Sequence, residues 1–210
     1  MIAIVDYKAG NLTSVKRALD YLGFAAEITD RPDRVMAAER IIFPGVGAAG
    51  EAMRNLNDLG LAGVIAEQVR AGKPFLGICL GYQVLFEHSA EDDVECLGLL
   101  PGRVVRFPQG LKDQGAGLPL KVPEMGWNEV RFRNCHPVWQ DIPAGSEFYL
   151  VHSYFPQPRP EHVCALTEYG IEYACGASCA NLVAFQFHPE KSGRPGLTLL
   201  QNFCTWQPRE

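Results

Sequence analysis

Phe75-Leu76-Gly77-Ile78-Cys79-Leu80-Gly81-Tyr82-Gln83 is the stretch on which the fold turns. The unbroken apolar run from Phe75 to Cys79 predicts a buried strand, and a helix is expected from Tyr82 to His88. Between them lies a tight turn with a glycine two positions either side of Cys79. Such a strand–elbow–helix exposes its central side chain, and glycines let neighbouring chain pass close to a strained residue. The helix start also aims unpaired N–H groups and positive dipole at the thiol, which favours thiolate. G-x-C-x-G is expected by chance about 0.07 times in a chain of this composition, so Cys79 is read as a nucleophile rather than as a core thiol.

Upstream, Ile2 to Asp6 reads as a strand. Asn11 is placed to cap a helix whose Val15, Ala18, Leu19 and Leu22 form one apolar stripe, and Gly23 ends it. Ala25–Thr29 and Arg40–Phe43 are further strands, the latter running into Pro44-Gly45-Val46-Gly47. Leu61 to Ala71 is an amphipathic helix. Strands alternating with helices at this spacing predict an α/β fold: an open, mostly parallel twisted sheet with helices on both faces. Downstream the apolar runs shorten and alternate. Val104–Phe107, Asn128–Phe132, Phe148–Val151, Val163–Thr167 and Leu182–Phe187 are read as an antiparallel extension of that sheet. Gln109–Pro119 is expected to be a mobile surface loop, and Leu197–Trp206 a closing helix. No linker separates the halves, so residues 1–210 are taken as a single domain.

Composition narrows the chemistry. The 210 residues are 47 % hydrophobic and 20 % charged, with a net charge of −5 and no basic run, which argues against nucleic acid and anionic membrane as partners. No apolar stretch approaches the ~18 residues of a spanning helix, and Met1 to Asp6 lacks the basic start of a signal peptide. A reducing, cytoplasmic setting is expected, with the seven cysteines as thiols.

A thiol nucleophile needs a base and a group that orients it. Phe187-His188-Pro189-Glu190 offers both: Pro189 favours an extended His188, and residues two apart on extended chain share a face. His188 can then serve as base and Glu190 as its orienter. The oxyanion of acyl chemistry needs N–H donors. Leu80 supplies one directly after the nucleophile, and Gly45, Val46 and Gly47, at the end of a parallel strand, can supply others. Cys175 and Cys179 fall in a Gly/Ala/Ser-rich turn without a second pair, so no metal site is expected. His88, His136 and His162 are read as solvated. No cofactor motif is present.

These elements together resemble the class I glutamine amidotransferases. Asp6-Tyr7, Gly10-Asn11-Leu12, Val122-Pro123-Glu124-Met125-Gly126-Trp127-Asn128, Val151-His152-Ser153-Tyr154 and Gln186 to Ser192 resemble, more narrowly, the glutaminase branch that serves imidazole glycerol phosphate synthesis in the histidine pathway. The resemblance implies that Cys79, His188 and Glu190 form a catalytic triad. It implies that Gly45, Gln83, Glu91, Ser153 and Tyr154 hold glutamine, and that Asn11, Trp127 and Lys191 face a cyclase subunit. That subunit would be a (β/α)8 barrel that receives ammonia in a heterodimer. Three departures from the branch pattern fall at Lys8-Ala9, where a small glycine-containing pair is usual, at Tyr82, expected to alter the pocket wall, and at Glu124, expected to alter contacts on the partner face. The alternatives are a glutaminase serving another amidotransferase and a non-catalytic binding member of the same fold.

Overall fold

The computed structural model describes residues 1–8, 12–115 and 117–208. Its first half runs β1 (Ile2–Val5), α1 (Leu12–Tyr21), β2 (Ala26–Thr29), α2 (Pro32–Ala37), β3 (Arg40–Gly45), α3 (Ala49–Asp58), α4 (Leu61–Arg70), β4 (Phe75–Cys79) and the single-turn α5 (Leu80–Gln83). The second half is strand-rich: β5 (His88–Ser89), β6 (Val94–Glu95), β7 (Gly102–Arg106), β8 (Glu124–Glu129), β9 (Arg131–Phe132), β10 (Glu147–His152), β11 (Tyr154–Pro158), β12 (Val163–Glu168), β13 (Glu172–Cys179) and β14 (Leu182–Phe185), closed by α6 (Gly193–Thr205).

An eight-stranded sheet in the order β2-β1-β3-β4-β14-β13-β12-β9 joins the two halves. The strands from β2 to β14 are parallel, and β13, β12 and β9 continue antiparallel. Strand alternation divides the core into two layers. Ile2, Ile4, Ile42, Leu76, Ile78, Val183 and Phe185 face one side, with Val15 and Leu19 of α1 and Leu199, Leu200 and Phe203 of α6. Ala3, Val5, Ile41, Phe43, Phe75, Leu182 and Ala184 face the other, against Met53 and Leu56 of α3 and Leu61, Ile65 and Val69 of α4. Strands apolar on both faces need helices on both sides, which is the expected doubly covered α/β architecture.

Several details depart from the sequence reading. The helix expected over Tyr82–His88 is only Leu80–Gln83. Val84, Leu85 and Phe86 are buried in turns, and His88 enters a strand beside Arg103. The dipole facing Cys79 is therefore that of one turn. The antiparallel extension is also partial: β8 and β10 form a separate ribbon, and β11-β7-β5-β6 a separate four-stranded sheet. Val130 is where the chain changes sheets, splitting the expected strand Asn128–Phe132. Cys175 and Cys179 lie on a strand, not in a turn. Among the described residues of the Gln109–Pro119 stretch, Asp113 N–H donates to the Leu118 carbonyl at 2.8 Å and Leu111 is buried. The expected capping role of Asn11 lies outside the described residues.

Candidate active site

β3, β4 and β14 are neighbours, and their carboxyl ends carry the candidate residues. Gly45 is in register with Cys79, and β14 ends three residues before His188. Cys79 is the last residue of β4 and sits at φ 55°, ψ −110°, a conformation that costs a non-glycine residue on the order of 1–3 kcal/mol. The elbow is therefore real, and its flanking glycines have steric reasons. A β-carbon on Gly81 would collide with the Phe43 carbonyl, and one on Gly77 would lie 2.7 Å from the Gly81 carbonyl oxygen.

His188 is held from several directions. Its backbone N–H donates to the Tyr149 carbonyl at 2.9 Å, and its own carbonyl accepts from Ser192 Oγ at 2.6 Å. Nδ1 donates to Glu190 Oε1 at 2.8 Å, with both side chains about 97 % buried (3 % exposed). Nε2 is buried and has no hydrogen bond of good geometry, so it is the nitrogen left for the Cys79 sulfur, with which the ring interacts. Burial opposes the imidazolium most strongly. The sulfur, as neighbouring charge and hydrogen-bond partner, and then Glu190 together outweigh it, and His188 is raised to about 10.

A cavity of about 320 Å³ opens in front of Cys79. Val46, Gly47 and Leu80 lie on its wall, as do Gln83, Glu91, Ser153 and Tyr154. Thus the structure gathers nearly every residue expected to bind oxyanion or substrate; Gly45 stands beside Cys79 in the sheet. Glu91 accepts the Ala49 N–H at 2.9 Å, and burial raises its carboxyl. Gln83 Nε2 donates both protons, to the Tyr154 carbonyl at 2.9 Å and to Gln186 Oε1 at 3.1 Å. Only its oxygen remains to meet a ligand. The carbonyl of Ser153 is likewise occupied, by the Phe107 N–H at 3.0 Å.

Relatives match the chain over nearly its full length. The imidazole glycerol phosphate synthase subunit HisH of Thiobacillus denitrificans is 49 % identical, covering 100 % of this chain and 92 % of its own length. The HisH subunit of Nitratidesulfovibrio vulgaris is also 49 % identical, over 98 % of this chain and 97 % of its own. The family described as glutamine amidotransferase class-I matches residues 3–206. The chain belongs to the class I glutamine amidotransferases, in their HisH branch. A solved structure, PurLQS from Thermotoga maritima, shares the amidotransferase fold with a TM-score of 0.71 at 20 % identity, covering 97 % of this chain and 96 % of that one.

In this amidotransferase the expected partner residues divide. Trp127 is 50 % exposed and Lys191 Nζ lies 5.7 Å from the Tyr149 ring centroid, against which Trp127 also packs. Asn11 lies outside the described residues. Glu124 is not on an outer face but 1 % exposed, and Tyr82 is a core residue rather than a pocket wall, its hydroxyl 3.4 Å from the Ala174 carbonyl. His136 is not solvated: Nδ1 accepts the Val138 N–H at 3.2 Å, and burial lowers the ring to about 4. His88 and His162 are partly exposed. Burial pushes the Cys164, Cys175 and Cys204 thiols up, the last to about 12, which leaves them unreactive.

Sequence reasoning missed Gln186 and Tyr7. Gln186 Nε2 donates to Cys79 Sγ at 3.7 Å, and it lies two residues before His188, so the same extended-chain alternation would have found it. Tyr7 donates to the Val46 carbonyl at 3.3 Å, a contact with no local signal.

Proposed function

We propose that this chain is the glutaminase subunit of an imidazole glycerol phosphate synthase, hydrolysing glutamine to glutamate and ammonia through Cys79, His188 and Glu190. The reading rests above all on the strained Cys79 elbow and on the buried His188 Nε2, left unpaired by the rest of the site and facing the Cys79 sulfur. Cys79 thiolate attacks the carboxamide carbon. N–H groups of Leu80 and the Gly45–Gly47 segment hold the tetrahedral oxyanion. His188, carrying its proton, gives it to the leaving amine, and ammonia departs from a thioester. Water then adds, with the same imidazole as base, releasing glutamate and restoring the thiol.

Ammonia loose in water is protonated and wasted, so the reaction calls for a docked acceptor. The acceptor would be a cytoplasmic cyclase subunit, a (β/α)8 barrel in a heterodimer, that makes imidazole glycerol phosphate and AICAR in histidine biosynthesis. Exposed Met125 and Trp127 on β8, with Lys191 beside them, favour this docking face. Glutamate release is measured with and without the cyclase and its nucleotide substrate. Turnover should rise sharply when both are present, as the Gly45–Gly47 donors settle; equal turnover in all mixtures would refute the coupling.

A further inference from the structure

In the cavity wall, with His152 on the lining and Glu124 and Tyr173 behind it, sits a second buried His–Glu pair that the reaction above does not use. Glu124 and His152 are cross-strand partners on β8 and β10, 1 % and 6 % exposed, and Tyr173 beside them is 3 % exposed. Glu124 Oε1 accepts from Asn128 Nδ2 at 2.6 Å, and Oε2 accepts the Tyr173 hydroxyl at 2.7 Å. His152 Nε2 lies 3.0 Å from that hydroxyl and 3.3 Å from Glu124 Oε2. Its Nδ1 faces the Tyr154 carbonyl at 2.8 Å.

Donor–acceptor chemistry restricts this arrangement. A carbonyl only accepts, so Nδ1 carries a proton. The Tyr173 hydroxyl has one hydrogen and gives it to Glu124. His152 Nε2 faces both that hydroxyl and the carboxylate oxygen that accepts it, so each polar atom on the facing sides of the three groups has a partner. The Tyr154 carbonyl, in turn, accepts from Gln83 as well as His152, and Gln83 continues through Gln186 to Cys79 Sγ. One chain of hydrogen bonds joins Glu124 to the candidate nucleophile.

We propose that Glu124, Tyr173 and His152 are positioning residues for the glutamine pocket, fixing the Tyr154 carbonyl and, through it, the Gln83 side chain. The proposal rests on the glutaminase reading and assigns these residues no contact with the reacting atoms. It predicts that loosening the cluster weakens seating of a glutamine-shaped ligand without touching the reactivity of the thiol itself.

The test uses the full chain with its co-expressed cyclase, labelled at Cys79 either by 6-diazo-5-oxo-L-norleucine, which must occupy the pocket, or by iodoacetamide, which need not. Tyr173→Phe removes one hydroxyl and keeps the ring, and Glu124→Gln removes the charge and keeps the shape. Each should raise the half-saturating diazoketone concentration about tenfold, as expected for one lost hydrogen bond to a charged group. The maximal labelling rate and the iodoacetamide rate should stay unchanged. Tyr82→Phe, which deletes an equally buried hydroxyl outside the cluster, should leave both reagents unaffected. Half-saturation at the wild-type value, parallel slowing by both reagents, or an equal shift in Tyr82→Phe would each overturn the proposal. If Glu124→Gln does not fold, Tyr173→Phe alone decides. A wild-type protein that shows no saturation, or is labelled on another cysteine, would instead bring down the glutaminase reading on which the proposal stands.

Discussion

Two buried His–Glu pairs sit among the described residues, and their difference shows where reactivity comes from. In His152–Glu124 both ring nitrogens and both carboxylate oxygens have partners. In His188–Glu190 one ring nitrogen and one carboxylate oxygen have none. Burial is similar, so burial does not separate them. A fully matched pair is scaffold; a pair with an unmatched nitrogen beside a thiol is poised to take and give a proton.

The sharpest way to break that comparison is to remove each histidine partner in turn and read turnover. His188→Ala should lower glutamine turnover by about 10⁴-fold or more, and Glu190→Gln by about 10²- to 10³-fold, because base and orienter act as a unit. Steady-state glutamate release checks both, and near-normal turnover in either would remove the distinction. Stability should rank the opposite way. Glu124→Ala strands a buried imidazole and a hydroxyl and should cost about 3 kcal/mol, whereas Glu190→Ala loses a single hydrogen bond and should cost about 1–2 kcal/mol. Urea unfolding midpoints at fixed m-value measure the order.

The pH dependence gives a finer contrast between His188 and His136. His188 is raised from 6.5 to about 10, so its contribution to stability is complete below 6.5 and is lost as pH climbs through 10. His136 is lowered from 6.5 to about 4. Here the unfolded chain takes the proton first, and stability drains away as pH falls from 6.5 toward 4. Cys79→Ala should shrink the alkaline loss by removing the larger of the two partners that sustain the imidazolium, Glu190 being the other. His136→Phe should flatten the acid side, the smallest of these effects. Unfolding midpoints across the two windows test both, and unchanged profiles would refute the assigned causes.

Much of this was legible in the residues. The apolar runs of β1, β3, β4 and β14 announce a sheet covered on both faces, and the elbow and His-Pro-Glu segment announce themselves through glycine spacing and extended-chain alternation. Other parts were hidden for physical reasons. α3 has its stripe at Ala49, Ala52, Met53 and Leu56, but small residues blur the period. β13 looks like a turn because of its glycine, alanine and serine content; those small side chains make room for the Phe185 ring, which a β-carbon on Gly176 would approach to 2.7 Å. Glu124 reads as a surface charge, since nothing local reveals that the register places His152 opposite it.

The strand order carries one last consequence. β4 is hydrogen-bonded to β14, yet the middle of the chain lies between them in sequence. Nucleophile and base can meet only after that long loop has closed, an event of high entropic demand that belongs late in assembly. During refolding from urea, far-UV ellipticity should therefore recover ahead of diazoketone labelling at Cys79, so that chemical competence serves as a clock for the final docking of the sheet.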